Sequence, residues 1–600
     1  MRIPIRSGQG NYISAAAFCL VVLLLPVWPP TSYGATDKPS PSSEELLKLG
    51  ERMYREGILP SGEPMNAFVK GDLPVPGTAF TCASCHLRSG LGSIEGGVVT
   101  PPTNGPYLFK PFKGYSSPRY VNTPFLPPQL VKYNSQYYQK PHNRPVYTDE
   151  SLANALRSGI DSAGRVMNDV MPRYLLEDDE MKLLVSYLKS LSSEFSPGVT
   201  DTTIRFATIV SDGVSPEERN AMLVPLENYI RNKNQADVHD PRMIRSNQVR
   251  STGARSRLMA AVTMTSLGVA NRKLSLSCWE LKGAPETWRG QLEEYYRKEP
   301  VFAILGGITR GEWQPIHQFC EDNRIPNIFP ITDFPVVSQD DWYTLYLSKG
   351  YYQEGEGAAR FLNGKEDLKD KRIIQFVRDS REGRALSRGF LETWRGFGQK
   401  APETITLKAG MKLTAKSLQR ELAQKKPAAI ILWDGPEALK TLEMVAVEKN
   451  RPSIILVSST YLGKSMLSLN ERVQKFTYLT YPYGISQTPE ERAVQLATKE
   501  ITSSSMGSKV FSMEANTDAT IRISLQTQIL TIILHSALLD MRGNYYRDNL
   551  LDVIGMDMDQ DVPLYERLSF GPGQRYASKG CYIVQLAKTG LVKKSGWVIH

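Results

Sequence analysis

The 600-residue sequence has no long run of lysine or arginine, although its formal net charge is +10. The positive charge is spread along the chain and is therefore only a weak indication of an anionic partner. The chain also has no tandem repeat and no nucleic-acid-binding module, and glycine-rich turns such as Gly355-Glu356-Gly357 lack the GK[ST] ending of a phosphate loop. These absences argue against nucleic-acid binding and exclude a P-loop nucleotide site. No His, Cys and Asp grouping of a hydrolytic enzyme is present.

Long apolar runs are almost absent as well. One lies near the N-terminus, at Ile13 to Leu25, and it is too short for a confident membrane span. Arg2 and Arg6 precede it, and small residues at Ser32 and Gly34 suit a cleavage site. We therefore expect residues 1–34 to be a signal peptide and the mature protein to be periplasmic or otherwise exported, with no membrane span after cleavage. An uncleaved anchor is the alternative.

Length and composition point to several globular domains. Six hundred residues are too many for one core, and 41% hydrophobic with 22% charged residues is ordinary for folded soluble protein.

The strongest motif is Cys82-Ala83-Ser84-Cys85-His86. Two cysteines at this spacing followed by histidine are typical of a c-type haem attachment site. The two thiols join the vinyl groups of one haem, and His86 becomes the proximal iron ligand. A zinc site would need a second Cys/His pair nearby, and the sequence offers none. We therefore expect one covalently bound haem c.

Three further cysteines, Cys278, Cys320 and Cys581, follow the haem motif. In an oxidising compartment two of them can pair, and Cys278 with Cys320 is the pairing that we expect. Three small buried hydrophobic residues are the alternative.

Two amphipathic helices are predicted on either side of the motif, at about 44–57 and 177–192. Met171 precedes the second helix, and a segment rich in Gly, Pro and Tyr separates it from the motif. Together, residues 44–193 resemble a class I cytochrome c. The resemblance implies an all-α domain (residues 35–198), Met171 as sixth iron ligand, and a contact between Gly50 and Tyr187 where the first and last helices cross.

Other iron ligands remain open. Met167 lies four residues before Met171, His142 lies in the long insert, and an open sixth position would suit a gas-binding or peroxidase-like haem.

Residues 199–600 alternate between buried strands and helices, which predicts parallel sheets covered by helices. A helix from about Ser215 to Asn232 is expected to be capped by Ser215. The predicted strands are Ile204–Val210, Leu274–Leu281, Val301–Gly306, Asn327–Ile331, Ile373–Val377, Ala428–Trp433 and Ser453–Val457.

The run from Val301 to Ser338, with its glycine turn and "P-x-T-x-x-P" ending, resembles the type I periplasmic binding proteins. The resemblance implies two α/β lobes with a ligand cleft between them, in one domain covering residues 199–600. Its turns carry charges that do not suit a standard amino-acid site. The candidate cleft residues are Thr309, Arg310, Thr332, Asp333 and Arg381.

The sequence therefore predicts a multidomain protein: an all-α cytochrome c domain followed by a type I, two-lobed α/β domain. The leading hypothesis is an exported one-electron carrier with a redox partner protein and a small-molecule ligand in the second domain. The alternative is a solute receptor or sensor whose ligand occupancy is coupled to the haem redox state. A haem-dependent oxidoreductase ranks third, because no acid/base pair or second cofactor motif accompanies the haem motif.

Overall fold

The structure is a computed structural model. It describes residues 42–95, 98–111, 143–236, 272–338, 340–368, 371–448, 451–485, 518–556, 562, 564–571, 574–588 and 590–599. The expected signal peptide and His142 lie outside the described residues. The chain forms two compact units, residues 1–46 and 47–600.

Helices dominate the N-terminal part. They are α1 (Ser43–Glu56), α2 (Cys82–His86), α3 (Gly105–Leu108), α4 (Asp149–Ser158) and α5 (Asp178–Ser190). The first turn of α5 carries three acids, which the helix dipole favours. The apolar faces of these helices meet in one core cluster that includes Tyr54, Leu156 and Leu184.

The first and last of these helices cross at Gly50, as predicted. A Cβ atom added to Gly50 would lie 2.5 Å from the Leu183 carbonyl oxygen and 2.7 Å from the Cβ of Tyr187. The Tyr54 and Tyr187 rings stand 5.5 Å apart beside this contact. Glycine is therefore required here because the two helix backbones approach so closely.

The expectation of an all-α cytochrome part needs correction. Short strands form a three-stranded antiparallel sheet in the order β2 (Leu73–Pro76), β1 (Asn66–Val69), β5 (Arg173–Leu175). A two-stranded hairpin joins β3 (Ile94–Glu95) to β4 (Val98–Val99). The prolines of β2 are tolerated because β2 lies at the sheet edge, where a missing N–H breaks no ladder.

The C-terminal part contains two sheets. The first is entirely parallel, in the order β10-β9-β8-β6-β7, and the second begins parallel and ends antiparallel, in the order β12-β11-β13-β14-β15-β16-β17. The first-sheet strands are β6 (Thr203–Ser211), β7 (Lys273–Leu281), β8 (Ala303–Leu305), β9 (Asn327–Ile328) and β10 (Thr344–Leu345). The second-sheet strands are β11 (Ile373–Arg378), β12 (Glu403–Leu407), β13 (Ala429–Trp433), β14 (Ile454–Ser458), β15 (Thr477–Tyr481), β16 (Gly580–Ala587) and β17 (Gly590–Lys593), with β18 (Val598–Ile599) paired to β16. All of the predicted strands are present, with small shifts at their ends.

Helices cover both sheets. They are α6 (Pro216–Ala236), α7 (Trp288–Lys298), α8 (Gln314–Asp322), α9 (Tyr351–Asn363), α10 (Arg381–Gly396), α11 (Ala415–Lys425), α12 (Ala438–Ala446), α13 (Ser459–Leu462), α14 (Glu471–Gln474), α15 (Ala519–Asp540) and α16 (Arg547–Gly555). The predicted cap of α6 is confirmed, since the Ser215 hydroxyl accepts the Glu218 N–H at 3.3 Å. We call the first sheet with its helices the first lobe, and the second sheet with its helices the second lobe. Helices α15 and α16 follow the first five strands of the second sheet in sequence, yet α15 packs on α6 of the first lobe.

Helix α15 is long and apolar enough to cross a membrane by length and composition, although no such stretch was expected beyond the N-terminus. In the structure it packs as a core helix. Ile529, Leu530, Ile533 and Leu534 are buried in the same cluster as Met222.

The expected pairing of Cys278 with Cys320 is wrong in this structure, where both thiols are free. Alternate side chains of a strand point to opposite faces of the sheet. Trp279 therefore packs in one core cluster with Cys320, whereas Cys278 packs against another cluster on the other face. The sheet separates the two sulfur atoms.

Candidate haem site and interlobe cleft

Helix α2 presents the haem-attachment residues. The Thr81 hydroxyl caps it by accepting the Ser84 N–H at 3.1 Å. Within this single turn Cys82 is buried, Cys85 is exposed, and neither thiol is in a disulfide. Both sulfur atoms are therefore available for thioether bonds.

His86 is held in an orientation that suits an iron ligand. Its Nδ1 lies 2.8 Å from the carbonyl oxygen of Pro101. Because a carbonyl only accepts, Nδ1 carries the hydrogen and the Nε2 lone pair is left for a metal. Burial lowers the pKa of His86 to about 4, so the imidazole is neutral, as ligation requires.

Hydrogen bonds fix the loop that follows α2. The Tyr54 hydroxyl donates to the Leu87 carbonyl at 2.8 Å, and the Ser93 hydroxyl donates to the Cys85 carbonyl at 3.0 Å. The Gly92 N–H donates to the His86 carbonyl at 3.0 Å. These bonds tie the haem helix to α1 and to its own following loop.

Met167 and Met171 both pack, half-buried, against the core cluster of the cytochrome part. The Met171 N–H donates to the Asn168 carbonyl at 2.9 Å, which closes a turn between them. Val166 and Val170, beside the two methionines in sequence, are 80% and 56% exposed. These two valines therefore leave exposed apolar surface beside the methionines. The choice of Met171 over Met167 stays a prediction.

The residues present fit a covalently bound haem. Cys82 and Cys85 supply the thiols, His86 supplies a neutral, oriented imidazole, and a thioether is available at Met171. No group of three His, Cys, Asp or Glu side chains that could hold another metal ion occurs in the part of the chain that the structure describes.

The five predicted cleft residues do not form one cluster. Arg310 turns away, because its guanidinium pairs with Glu218 at 2.7 Å and donates to the Gly213 carbonyl at 3.1 Å. Thr309 donates weakly to the Gly311 carbonyl at 3.5 Å. The contacts of Thr309 and Arg310 therefore stabilise the fold of the first lobe.

Arg381, at the start of α10 in the second lobe, reaches across to the first. Its Nε lies 3.2 Å from Glu312, and its Nη2 donates to the Gly311 carbonyl at 3.4 Å. The guanidinium carbon stands 4.2 Å from the centre of the Phe334 ring. Arg381 therefore links the lobes through Glu312 and Phe334.

Thr332 and Asp333 lie beside Phe334, but Asp333 faces a residue that the sequence analysis missed. Its Oδ2 lies 3.4 Å from Nη2 of Arg522, on the first turn of α15. The Thr332 hydroxyl accepts the Phe334 N–H at 3.0 Å and shapes the turn. One sequence signal could have found Arg522: it is the lone charged residue in a long apolar helix before its final Asp540.

Tyrosines and a buried acid surround Arg522. The ionisable hydroxyl of Tyr483, and after it Asp333 and Tyr351, raise the pKa of Arg522, which stays fully charged. Glu354 is fully buried and accepts the Thr480 hydroxyl at 2.6 Å. Burial raises the pKa of Glu354 to about 7.

Ion pairs and a hydrogen bond join helix α1 and the loop that follows α2, here named the haem loop, to the first lobe. Arg55 pairs with Asp548 of α16 at 2.6 Å, and the Ser89 N–H donates to Asp552 at 2.9 Å. Arg324 pairs with Glu51 at 2.7 Å. The haem loop is therefore fixed to α16, although the two are more than 400 residues apart in sequence.

The two aspartates of α16 titrate differently. Burial, and after it the charge of Asp548, raise the pKa of Asp552 to about 6. Burial would also raise the pKa of Asp548, but Arg55 and Arg88 lower it below its usual range. Asp548 is thus a negative charge that Arg55 and Arg88 stabilise. Ionisation of Asp552, by contrast, is unfavourable because its carboxyl is buried beside the charge of Asp548.

Comparison with known proteins identifies the N-terminal part. Residues 78–192 match the family model "Cytochrome c". These residues are therefore a cytochrome c domain, with one covalently attached haem c as cofactor. A search of curated proteins finds no match.

Solved structures similar to this chain are solute-binding proteins of the type I periplasmic group. A branched-chain amino-acid transporter protein from Thermus thermophilus with bound valine is 11% identical, with a TM-score of 0.43, covering 66% of this chain and 97% of its own. A leucine-binding protein from Thermotoga maritima is 13% identical, with a TM-score of 0.40, covering 66% and 99%. A fatty-acid transporter substrate-binding protein from Thermomonospora curvata is 17% identical, with a TM-score of 0.38, covering 68% and 95%.

Proposed function

We propose that this protein is an exported monohaem c-type cytochrome that transfers single electrons and carries a ligand-binding α/β domain. In this proposal Cys82 and Cys85 anchor the haem, and His86 and Met171 ligate its iron. Residues 35–198 form the haem domain and residues 199–600 the two-lobed domain. The observation that carries the proposal is the 2.8 Å contact between His86 Nδ1 and the Pro101 carbonyl.

The haem iron, when bound, supplies a centre that cycles between two oxidation states one electron apart. The protein's own residues set the conditions for that cycle. The Pro101 carbonyl holds the imidazole of His86 in one tautomer and raises its basicity as a ligand. A thioether at Met171 favours a higher reduction potential than a second imidazole would.

Export and a redox partner protein belong to the same proposal. The Arg2–Gly34 segment has the pattern of a signal peptide, and thioether-bound haem suits an exported protein. An electron carrier needs a donor and an acceptor, and we expect at least one of them to be a protein. A small molecule bound between the lobes is the expected partner of the α/β domain.

The Met171→Ala variant tests the ligand assignment. We expect the weak far-red absorption band of thioether-ligated ferric haem to disappear and the reduction potential to fall, because iron loses its thioether. Met167→Ala is the matched control and should keep both properties. An unchanged spectrum in Met171→Ala, or loss of the band in Met167→Ala, would transfer the assignment to Met167 or another ligand.

A second function, coupling of the haem to the cleft, is favoured by a chain of contacts. The Arg88 guanidinium stands 4.1 Å from the centre of the Trp342 ring, and that of Arg575 stands 3.7 Å from it. The next residue, Tyr576, donates its hydroxyl to the Val336 carbonyl at 2.7 Å. Val336 lies three residues after Asp333 of the cleft. A ligand that moves this turn would shift the haem potential, and by reciprocity the redox state would shift ligand affinity.

A further inference from the structure

The second lobe carries an open groove that none of the five predicted cleft residues lines. The groove has a volume of about 420 Å³ and lies between helix α10 and the strands β11 and β12. Strand β12 stands at the end of its sheet and, among the described strands, pairs with β11 alone. It therefore forms one wall of the groove and leaves its other edge unpaired.

The backbone of β12 directs donors and acceptors to this unpaired edge. In a parallel ladder, successive residues point their N–H and C=O groups alternately to the two sides of the strand. The Leu407 carbonyl accepts the Asp379 N–H at 2.8 Å, so Leu407 and, by alternation, Ile405 bond toward β11. Thr404 and Thr406 therefore point their N–H and C=O groups outward.

The side chains of Thr404 and Thr406 lie on the face of the sheet that α10 covers. Val377, the β11 partner of Thr406, packs in the same core cluster as Phe390 of α10. Ile405 lies on the opposite face and packs against a different cluster. A strand added at this edge would align with Thr404 and Thr406, so every second side chain of that strand would lie beside α10.

Three exposed arginines form a stripe on this side of α10. Arg388 and Arg395 follow Arg384 by 4 and 11 positions, which places all three within about 40° of one another around the helix. Arg384 and Arg388 are each 61% exposed. The stripe is about 16 Å long, which is also the length of a five-residue strand. A strand with three side chains on one face therefore matches the arginine stripe in length.

Two acids in the groove leave most of the arginine donors unused. Asp379 pairs with Nη1 of Arg384 at 2.6 Å, and Glu392 accepts Nε of Arg388 at 2.8 Å. Arg395 has no hydrogen-bond acceptor among the described residues. Since a guanidinium carries five N–H donors, each of the three arginines keeps at least four. The groove therefore has both the positive charge and the free donors to bind further carboxylates.

A second copy of this chain is the obvious alternative occupant of an unpaired strand edge. Strand β12 contains no proline or lysine, which commonly protect such edges. Two β12 strands that paired with each other would, however, bring two arginine stripes close together, and like charges repel. An extended segment with acidic side chains meets no such repulsion. The charge of the groove thus favours an acidic strand over a second β12.

We propose that the unpaired edge of β12 binds an extended acidic segment of a partner protein, which adds one strand to the second-lobe sheet. Acidic side chains at every second position contact Arg384, Arg388 and Arg395. Hydrogen bonds to the backbone of Thr404 and Thr406 fix the register, and the arginines supply the preference for acidic residues. This interaction surface is distinct from the haem ligands and from the interlobe cleft.

Fluorescence anisotropy on the full-length, haem-loaded protein tests the proposal with labelled peptides. The main probe contains the sequence Glu-Val-Glu-Val-Glu. One control replaces each glutamate by glutamine, a second has the order Glu-Glu-Val-Val-Glu, and a third is the main probe with its three central amides N-methylated. We expect the main probe to bind at least about 10-fold more tightly than each control, and more weakly as salt is added.

Variants of the groove separate the charge contribution from the backbone contribution. Arg388→Gln and Arg395→Gln should each weaken the main probe by about 2- to 5-fold, and replacement of all three arginines by about 10-fold or more. Thr406→Pro removes an N–H from the unpaired edge, where proline is tolerated, and should weaken the probe by about 10-fold or more. Arg420→Gln, at an exposed arginine of α11 that pairs with Glu421, is the matched control and should change nothing.

Unchanged haem and circular dichroism spectra show that each variant folds. Equal binding of the glutamate and glutamine probes, or binding that the triple-arginine variant leaves unchanged, overturns the proposal. Full binding of the N-methylated probe, or full binding by Thr406→Pro, overturns strand addition and with it the proposal. If the wild type binds no peptide and the triple-arginine variant self-associates in sedimentation, the arginines only protect the edge of β12 from other copies. The tests of the iron ligands and of the cleft are independent of these results.

Discussion

Replacing Asp552 by asparagine should stabilise the protein at neutral and alkaline pH. Asp552 is 6% exposed and faces Asp548 on its own helix and the Ser89 N–H on the haem loop. The charges of Arg88 and Arg575 lie nearby. No ion pair within 4.0 Å joins it to either arginine among the described residues. An asparagine keeps an oxygen for the Ser89 N–H and removes the buried charge.

The magnitude follows from the pKa. Burial and Asp548 raise the pKa of Asp552 from an ordinary 3.8 to about 6. One pH unit corresponds to ~1.4 kcal/mol, so the ionised carboxylate costs the folded state about 3 kcal/mol. A carboxyl with a raised pKa destabilises the folded state once the pH exceeds its ordinary pKa, because the unfolded chain then ionises more easily than the folded protein. The cost is therefore absent below about pH 4, grows between about pH 4 and 6, and is complete above.

Guanidinium unfolding at pH 4, 6 and 8 measures this difference. We expect the free energy of unfolding of Asp552→Asn to exceed that of the wild type by up to about 3 kcal/mol at pH 8 and by little at pH 4. Asp201→Asn, at an exposed carboxyl in the connector, is the matched control and should show no such trend. A variant that is less stable at pH 8, or equally changed at all three pH values, would refute the reasoning.

Two other predictions concern packing and coupling. Gly50→Ala should lower the free energy of unfolding of the cytochrome part by about 1–3 kcal/mol, because the new Cβ would collide with the backbone of α5. Gly290→Ala in α7 is the control, since its new Cβ would meet nothing within 4 Å. We expect this control to be neutral or stabilising. If the α/β domain is coupled to the haem, a redox titration should give different potentials with and without a saturating small-molecule ligand, and Trp342→Ala should reduce that difference. Identical potentials in both titrations of the wild type would contradict the coupling.

Local features of the chain were predictable from sequence. The haem motif is contiguous, and strands such as Ala429–Trp433 are apolar runs that need burial on both faces. The Gly50 contact followed from the resemblance of two helices. The all-α expectation failed at β1, β2 and β5. Strands of three or four residues are stabilised mainly by pairing with one another, and the sequence of each segment alone shows no clear strand pattern.

Long-range features were not predictable. Arg522 contacts Asp333 across 189 positions in the sequence, and no local sequence pattern at either residue indicates this contact. The pairing of Cys278 with Cys320 failed because the two cysteines lie on opposite faces of a sheet, which depends on strand register. Asp548 and Asp552 lie in a helix that carries no motif, and their importance comes from their contacts with Arg55 of α1 and Ser89 of the haem loop.

The contact of the haem loop with α16 has a consequence for the order of folding. Arg55 and Asp548 are 493 positions apart, and Ser89 and Asp552 are 463 apart. A chain that emerges N-terminus first exposes the cytochrome segment long before its docking helix is made. The cytochrome segment therefore lacks the support of α16 until synthesis has passed residue 555, and until then the face carrying Arg55 and Arg88 stays uncovered. Docking is thus a late, slow step, because it closes one of the longest loops in the chain.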